Sequence, residues 1–281
     1  MIKPIFLIGP PRSGTTLLGH LISQHKDICY WIEPKYIWKY PKPDPFNDVI
    51  EEDELKNNHI MYIRKVFTDF TKKRKKVFFL EKTPSNCLRI KVLKKIFPEG
   101  KYIFLVRDGR DLIPSLKKKW EGTHDQSAIL RRINFKEYPI SQIHKYLLSF
   151  IKQFLVFNVF RKKNKNKLWG PMTNEVYKLA INNKISDACA MQFLQCTESI
   201  FKNIEKHDML INYENLLKNS KKTLENILNF CELDSDRFDF KIINKINTNN
   251  FSKYNDWSTL NIKNTDLIIR LEDINNKINQ L

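Results

Sequence analysis

The sequence predicts an α/β protein built around a parallel sheet, because short apolar runs alternate with amphipathic helical stretches. The first run, at residues 5–8, is unbroken by polar residues, which is typical of a strand buried on both faces of a sheet. Similar runs follow at residues 77–80 and 102–106. Strands that alternate with helices are joined by right-handed crossovers, and such crossovers connect parallel strands.

Residue spacing and turn residues place the individual elements. The first strand ends at the turn formed by residues 9–11, and leucines at helical spacing follow over residues 15–24. The predicted strands are residues 5–8, 77–80, 102–106 and 208–212, with a further short strand before Glu33. The predicted helices are residues 15–24, 51–70, 89–96, 140–160 and 266–280, and one that carries Leu112, Leu116 and Trp120.

We expect a single domain over residues 1–281, because neither a repeat nor a linker divides the chain. A helical insertion is predicted at approximately residues 121–205. Its first part, residues 121–139, shows little periodicity and is predicted to be a flap.

The composition is that of a globular protein with a strong positive charge: 42% of residues are hydrophobic and the formal net charge is +18. The charge has two interpretations, attraction of a polyanion or the abundance of Lys, Asn and Ile that an AT-rich genome produces. The basic runs lack the interleaved aromatic residues of a single-strand nucleic-acid groove, so no nucleic-acid partner is expected.

The five cysteines form no CxxC pair and no metal-ligand spacing, which is typical of a protein in a reducing compartment. No apolar segment reaches the length of a transmembrane helix, and the first apolar run is too short for a signal peptide. The sequence therefore predicts a cytoplasmic protein without a transmembrane segment.

The segment Pro10 to Thr16, with the sequence PPRSGTT, lies between a predicted strand and a predicted helix. Helix N-termini bind anions because their backbone N–H groups are unpaired and carry partial positive charge. Gly14 lets the backbone approach a ligand, and Arg12 adds a permanent charge. A loop that binds ATP or GTP carries Lys directly after its last Gly, where this chain has Thr15. The segment thus predicts an anion site that differs from that of a nucleoside triphosphatase.

Residues 8–16 resemble the 5′-phosphosulfate loop of sulfotransferases that use 3′-phosphoadenosine-5′-phosphosulfate (PAPS), in the Arg form seen in bacterial and tyrosylprotein sulfotransferases. Residues 104–110, together with Ser115, are similar to the strand, loop and helix that bind the 3′-phosphate in this family. Residues 81–86 (EKTPSN) resemble its EKTP segment, and residues 213–216 (YENL) resemble its YEDL segment.

The resemblance covers roughly residues 4–120 and 208–232. It implies a P-loop-like three-layer α/β fold, in which a central parallel sheet is flanked by helices and carries helical insertions. It also implies an enzyme with PAPS as co-substrate, adenosine 3′,5′-bisphosphate as product and no metal. The lack of an apolar segment long enough for a membrane anchor favours a bacterial cytoplasmic enzyme over a Golgi-type one. The acceptor is of unknown class: a glycan, lipid, peptide or small molecule.

By resemblance, the residues that bind the donor are Arg12, Ser13, Gly14, Thr15, Thr16, Arg107, Ser115 and Tyr213. Lys82 is the second cation on the leaving group, beside Arg12; the alternative for Lys82 is a surface ion pair with Glu81. Tyr213 either contacts the nucleotide or packs at a strand end. Arg110 either joins Arg107 or caps its loop. Ser252 and Lys253 are assigned to a late loop that closes over the nucleotide.

Glu33 is the leading candidate for the base that takes the acceptor's proton, because tyrosylprotein sulfotransferases carry a Glu at about this separation from the loop. The alternative for Glu33 is an exposed residue at a strand end. Cytosolic small-molecule sulfotransferases use a His instead, and His124 in the predicted flap is the competitor. Packing or exposed roles are expected of His20, His25 and His59.

The leading hypothesis is therefore a PAPS-dependent sulfotransferase. A nucleotide-dependent kinase on the same topology is an alternative, but it requires the missing loop Lys. A non-catalytic nucleotide-binding regulatory protein is a third hypothesis, and it predicts bisphosphate binding without turnover.

Overall fold

The computed structural model describes residues 2–122, 168–245 and 256–281. Several predictions fall outside these ranges: nearly all of the flap at 121–139, the helix at 140–160, and the assignments of His124, Ser252 and Lys253.

Five parallel strands form the central sheet, in the order β2-β3-β1-β4-β5. The strands are β1 (Lys3–Ile8), β2 (Ile28–Ile32), β3 (Phe78–Lys82), β4 (Lys101–Val106) and β5 (Met209–Asn212). The predicted parallel sheet is confirmed, including the short strand before Glu33.

The strand predicted at residues 77–80 is found at Phe78–Lys82, so it begins one residue later and ends two residues later than predicted. It continues through Glu81, which is paired with both β1 and β2, and through Lys82, which is paired with β2. Phe6 of β1 lies opposite Glu81, and Ile32 of β2 lies opposite Lys82. Ladder pairing with two neighbours therefore extends the strand into charged residues that apolar patterning leaves out.

Helices cover both faces of the sheet. They are α1 (Thr15–Ile22), α2 (Lys35–Trp38), α3 (Asn57–Lys73), α4 (Ile90–Ile96), α5 (Gly109–Glu121), α6 (Asn174–Ile181), α7 (Ile185–Asn203), α8 (Tyr213–Lys218), α9 (Ser220–Phe230) and α10 (Thr265–Asn279). Short 3₁₀ helices occur at Glu52–Glu54, Pro84–Arg89, Ser235–Arg237, Phe240–Lys245 and Trp257–Leu260.

Strand β1 separates two hydrophobic cores, because alternate side chains of a strand point to opposite faces. Phe6 and Ile8 pack into the core shared with α3, α4, α5, α7 and α10. Ile5 and Leu7 pack into the core shared with α1, α8 and α9. This arrangement confirms the three-layer fold.

The helix predicted at residues 51–70 is divided in two. Residues Glu52–Glu54 form a 3₁₀ turn, the backbone is extended at Lys56, and α3 begins at Asn57. The break is held by side chains: Glu54 accepts from the backbone N–H of Glu51, and His59 Nδ1 accepts from that of Lys56. Such local bonds terminate one helix and begin another.

The later part of the predicted insertion belongs to the main domain. Helix α7 buries Ala188, Ala190 and Phe193 in the same core as Phe6. Helix α7 therefore forms part of the helical layer on that face of the sheet. Among the described residues, no helix has the length and apolar character needed to cross a membrane.

Candidate functional site

The predicted site residues gather at one edge of the sheet, where the parallel strands have their carboxyl ends. Glu33 follows β2, Lys82 ends β3, and the Pro10–Thr16 segment follows β1. Arg107 follows β4, and Tyr213 follows β5. This edge is the usual position of ligands in open α/β sheets.

The loop after β1 turns sharply into α1. Gly14 has φ +99°, a left-handed conformation that favours glycine, and it caps the N-terminus of α1. The first amides of a helix have no partner within the helix, so they face the space above the loop. Thr15 is buried and Thr16 is exposed at the start of this helix.

Ser13, within the same loop, is fully buried. Its backbone N–H donates to the carbonyl of Pro10 at 3.1 Å, which closes the turn. Its hydroxyl Oγ, in contrast, is buried and has no hydrogen-bond partner among the residues that the structure describes. A buried polar atom of this kind indicates a missing partner, because leaving it unpaired costs free energy.

Arg12 joins the loop to helix α5. It has φ +74°, and its Nε donates to Ser115 Oγ at 2.9 Å. The two residues that the sequence assigned to opposite ends of the donor are therefore in direct contact. Arg107 Nη1 also donates to the carbonyl oxygen of Arg12 at 3.4 Å.

Arg107 is held at the end of β4 by an aromatic ring and a carboxylate. Its guanidinium carbon lies 4.5 Å from the centroid of the Tyr213 ring, and its Nη2 lies 3.8 Å from Asp111 Oδ2. Its Nε is buried, and nothing within residues 2–122, 168–245 and 256–281 forms a hydrogen bond with it. Arg110, the neighbouring cation, instead forms a forked pair with Asp108, which agrees with a capping role.

Glu33 and Lys82 form an ion pair across β2 and β3. Lys82 Nζ lies 2.8 Å from Glu33 Oε1, with side chains 2% and 16% exposed, respectively. Glu33 has φ +53°, and its backbone N–H donates to the carbonyl of Lys82 at 3.0 Å. Lys35 lies 3.7 Å from the other carboxylate oxygen of Glu33. The alternative of a surface pair between Lys82 and Glu81 is wrong, because both side chains are buried and Lys82 turns to Glu33.

Glu81 has a structural role that the sequence did not predict. It is fully buried, and its carboxylate accepts hydrogen bonds from Trp38, Thr83 and Asn86. Burial raises the pKa of Glu81 to about 7. Glu81 thus ties α2, which follows Glu33, to the turn that follows Lys82. The sequence signal for this role is the position of Glu81 in the EKTPSN segment, directly after the apolar run of β3.

Asp48 is a second residue with a structural role that no sequence pattern predicted. It lies 2.8 Å from Lys39, 3.5 Å from Arg89 and 2.9 Å from Ser85 Oγ. Burial would raise the pKa of Asp48, but Lys39 and Arg89 hold it below the ordinary value. The backbone N–H of Met172 donates to it at 2.8 Å. Asp48 therefore anchors the 3₁₀ turn behind Lys82.

Three histidines have the structural roles expected of them. His25 is buried, and its Nε2 lies 2.9 Å from the carbonyl of Asp234. His59 is buried at the start of α3, while His20 is exposed and packs edge-on against Tyr30. No cluster of three or more His, Cys, Asp or Glu side chains suited to a metal occurs in the part of the chain described.

Residues 4–147, just over half of the chain, match the model of a sulfotransferase family. The nodulation protein NoeE of Sinorhizobium fredii is 30% identical over 130 residues, which cover 41% of this chain and 31% of NoeE. This chain thus spans less than a third of that relative.

Two solved structures share the fold. One is the sulfotransferase domain from the curacin biosynthetic pathway, with a TM-score of 0.54, 14% identity and coverage of 99% of this chain and 98% of that one. The other is a sulfotransferase from Mycobacterium avium, with a TM-score of 0.52, 12% identity and coverage of 100% and 77%. The matched family model and the shared architecture lead to one conclusion: this chain belongs to the sulfotransferase family.

Proposed function

We propose that this protein transfers a sulfuryl group from PAPS to a hydroxyl, or an amine, of an acceptor. The observation that carries the proposal is a pair of buried donors at one sheet edge, Ser13 Oγ and Arg107 Nε, neither of which has a partner in the described part of the chain. They belong to the two segments that resemble the 5′-phosphosulfate and 3′-phosphate sites. A ligand with anionic groups at both ends would supply partners for both.

The donor fits the residues present. Ser13, Gly14, Thr15 and Thr16 would hold the phosphosulfate through the backbone N–H groups and hydroxyls at the start of α1. Arg107 and Ser115 would hold the 3′-phosphate. When bound, PAPS supplies the activated sulfuryl group.

Glu33 is the proposed base and Lys82 the proposed cation on the leaving group. Glu33 Oε1 lies 2.8 Å from Lys82 Nζ, and its carboxylate would accept the proton that leaves the acceptor. The sulfur–oxygen bond to the phosphate breaks as the bond to the acceptor oxygen forms. Negative charge then grows on the phosphate, where Arg12 and Lys82 would stabilise it.

The acceptor group belongs to a glycan, lipid, peptide or small molecule. A cytoplasmic location in a bacterium also stays a prediction. Labelled PAPS incubated with fractionated acceptor pools would identify which class becomes labelled.

Nucleotide binding tests the proposal directly. We expect calorimetric titration to show that adenosine 3′,5′-bisphosphate binds more tightly than ADP and without Mg²⁺. Equal affinity for the two nucleotides would overturn the proposal, and Mg²⁺-dependent consumption of ATP would support the kinase alternative instead.

A further inference from the structure

Tyr213 is packed against the backbone of the phosphosulfate loop. It is the first residue of α8 and is only 7% exposed. A Cβ atom built on Gly14 would lie 2.4 Å from Cδ2 and from Cε2 of the Tyr213 ring. The edge of the ring therefore fills the space that a side chain at residue 14 would need, and it supports the left-handed turn from which α1 starts.

The same ring contacts the other end of the predicted donor site. The guanidinium carbon of Arg107 lies 4.5 Å from the ring centroid, within the range of a cation–π interaction. The residue after Tyr213 adds a second link, since Glu214 Oε1 accepts from the backbone N–H of Asp108 at 3.4 Å. The start of α8 thus contacts both the loop after β1 and the loop after β4.

We propose that Tyr213 is a positioning residue that couples the two phosphate sites through its aromatic ring. The proposal rests on the proposed function, because it assumes that Gly14 and Arg107 bind opposite ends of one donor. The ring acts through the Gly14 turn and the Arg107 guanidinium, and its hydroxyl is not needed for donor binding.

The test is calorimetric binding of two probes, adenosine 3′,5′-bisphosphate and adenosine 5′-monophosphate. The affinity for the monophosphate reports on the 5′ end, and the ratio of the two affinities reports on the 3′-phosphate. Tyr213→Phe keeps the ring, and we expect both quantities to stay within about twofold of the wild type, the low end of a cation–π contribution. Tyr213→Leu should weaken monophosphate binding and also lower the ratio by roughly 2- to 30-fold.

Two further variants separate coupling from general damage. Arg107→Ala should lower the ratio and leave monophosphate binding near the wild-type value. Adding Tyr213→Leu to this variant should lower the ratio no further, because both changes remove the same interaction between the ring and the guanidinium. Leu224→Ala opens a cavity in the same core, on α9, and should lower the melting temperature without changing the ratio.

Several outcomes would overturn the inference. If Tyr213→Phe binds as weakly as Tyr213→Leu, the hydroxyl contacts the donor. If Tyr213→Leu changes only one of the two quantities, the ends are not coupled through the ring. If Tyr213→Leu fails to fold, Tyr213→Met replaces it, because Met fills more of the space of the ring without an aromatic face. The same changes in monophosphate affinity and in the affinity ratio are then expected of Tyr213→Met. A wild-type protein without preference for the 3′-phosphorylated probe would instead remove the proposed function, and this inference with it.

Discussion

The ion pair between Glu33 and Lys82 yields a quantitative prediction, because the two side chains differ in exposure. Replacing Glu33 by Gln leaves the Lys82 ammonium, whose side chain is 2% exposed, without its closest counter-charge. Breaking a buried pair in this way costs about 3–5 kcal/mol. Since Glu33 is 16% exposed and faces the open edge of the sheet, water offsets part of that cost. We therefore expect Glu33→Gln to destabilise the fold by about 2–4 kcal/mol.

The expected change in melting temperature follows from chain length. At about 2.1 cal/mol/K of unfolding entropy per residue, the whole chain has an unfolding entropy of about 0.6 kcal/mol/K. A loss of about 2–4 kcal/mol then lowers the melting temperature by about 3–7 °C, measured by calorimetry or circular dichroism. If Glu33 is the base, sulfuryl transfer from labelled PAPS to the acceptor found by screening should slow by about 10²-fold or more.

A double variant separates the stabilising role of the pair from its chemical role. Glu33→Gln combined with Lys82→Met removes both charges, so most of the lost stability should return while transfer stays slow. The control is Asp69→Asn, which breaks the exposed Lys65–Asp69 pair, whose side chains are 72% and 60% exposed. It should shift the melting temperature by about 2 °C or less and leave transfer unchanged. A Glu33→Gln variant that melts within 1 °C of the wild type and transfers at a similar rate would refute both roles of the ion pair.

Three further predictions concern the donor site and the buried carboxyl behind it. Arg107→Ala should weaken binding of adenosine 3′,5′-bisphosphate by about 1.5–3 kcal/mol, the usual cost of a lost charged hydrogen bond, in a calorimetric titration; an unchanged affinity would remove Arg107 from the site. Ser13→Ala should leave the melting temperature of the free protein unchanged, because Ser13 Oγ has no partner to lose among the described residues, yet weaken bisphosphate binding by about 0.5–1.5 kcal/mol. A lower melting temperature with normal binding would contradict it. Glu81 has a pKa raised to about 7, so it favours the folded state when protonated and that contribution is lost as pH rises from about 4.5 to 7. Urea unfolding across this range should show the stability of the wild type falling relative to Glu81→Gln, and a constant difference would contradict the prediction.

Much of the fold could be predicted from local patterns. The apolar run of β1 and the leucines of α1 are encoded within a few residues of each other, so their periodicity shows directly in the sequence. The tail helix was predicted at residues 266–280 and is found at Thr265–Asn279. The errors lie where side chains or neighbouring strands override periodicity, as at the break before Asn57 and the extension of β3 through Lys82.

The candidate site could be predicted as a set of residues but not as an arrangement. Arg12 and Ser115 were both assigned to the donor, yet their direct bond at 2.9 Å was not foreseen. The role of Asp48 in anchoring the turn behind Lys82 was missed altogether. Such contacts join residues that are distant in the chain, and no local spacing carries information about them.

By itself the sequence determined which chemistry meets at this site: an anion-binding turn around Gly14, a cation after β4 and a carboxylate after β2. Only the tertiary structure decided which of these groups touch. The order β2-β3-β1-β4-β5 sets Glu33 beside Lys82 on adjacent strands, and it leaves only β4 between β1 and β5, so that the Tyr213 ring reaches the turn at Gly14. The physical reason is that the hydrogen-bonded strand order, rather than distance along the chain, sets the separation of strand ends, because adjacent strands lie only about 5 Å apart.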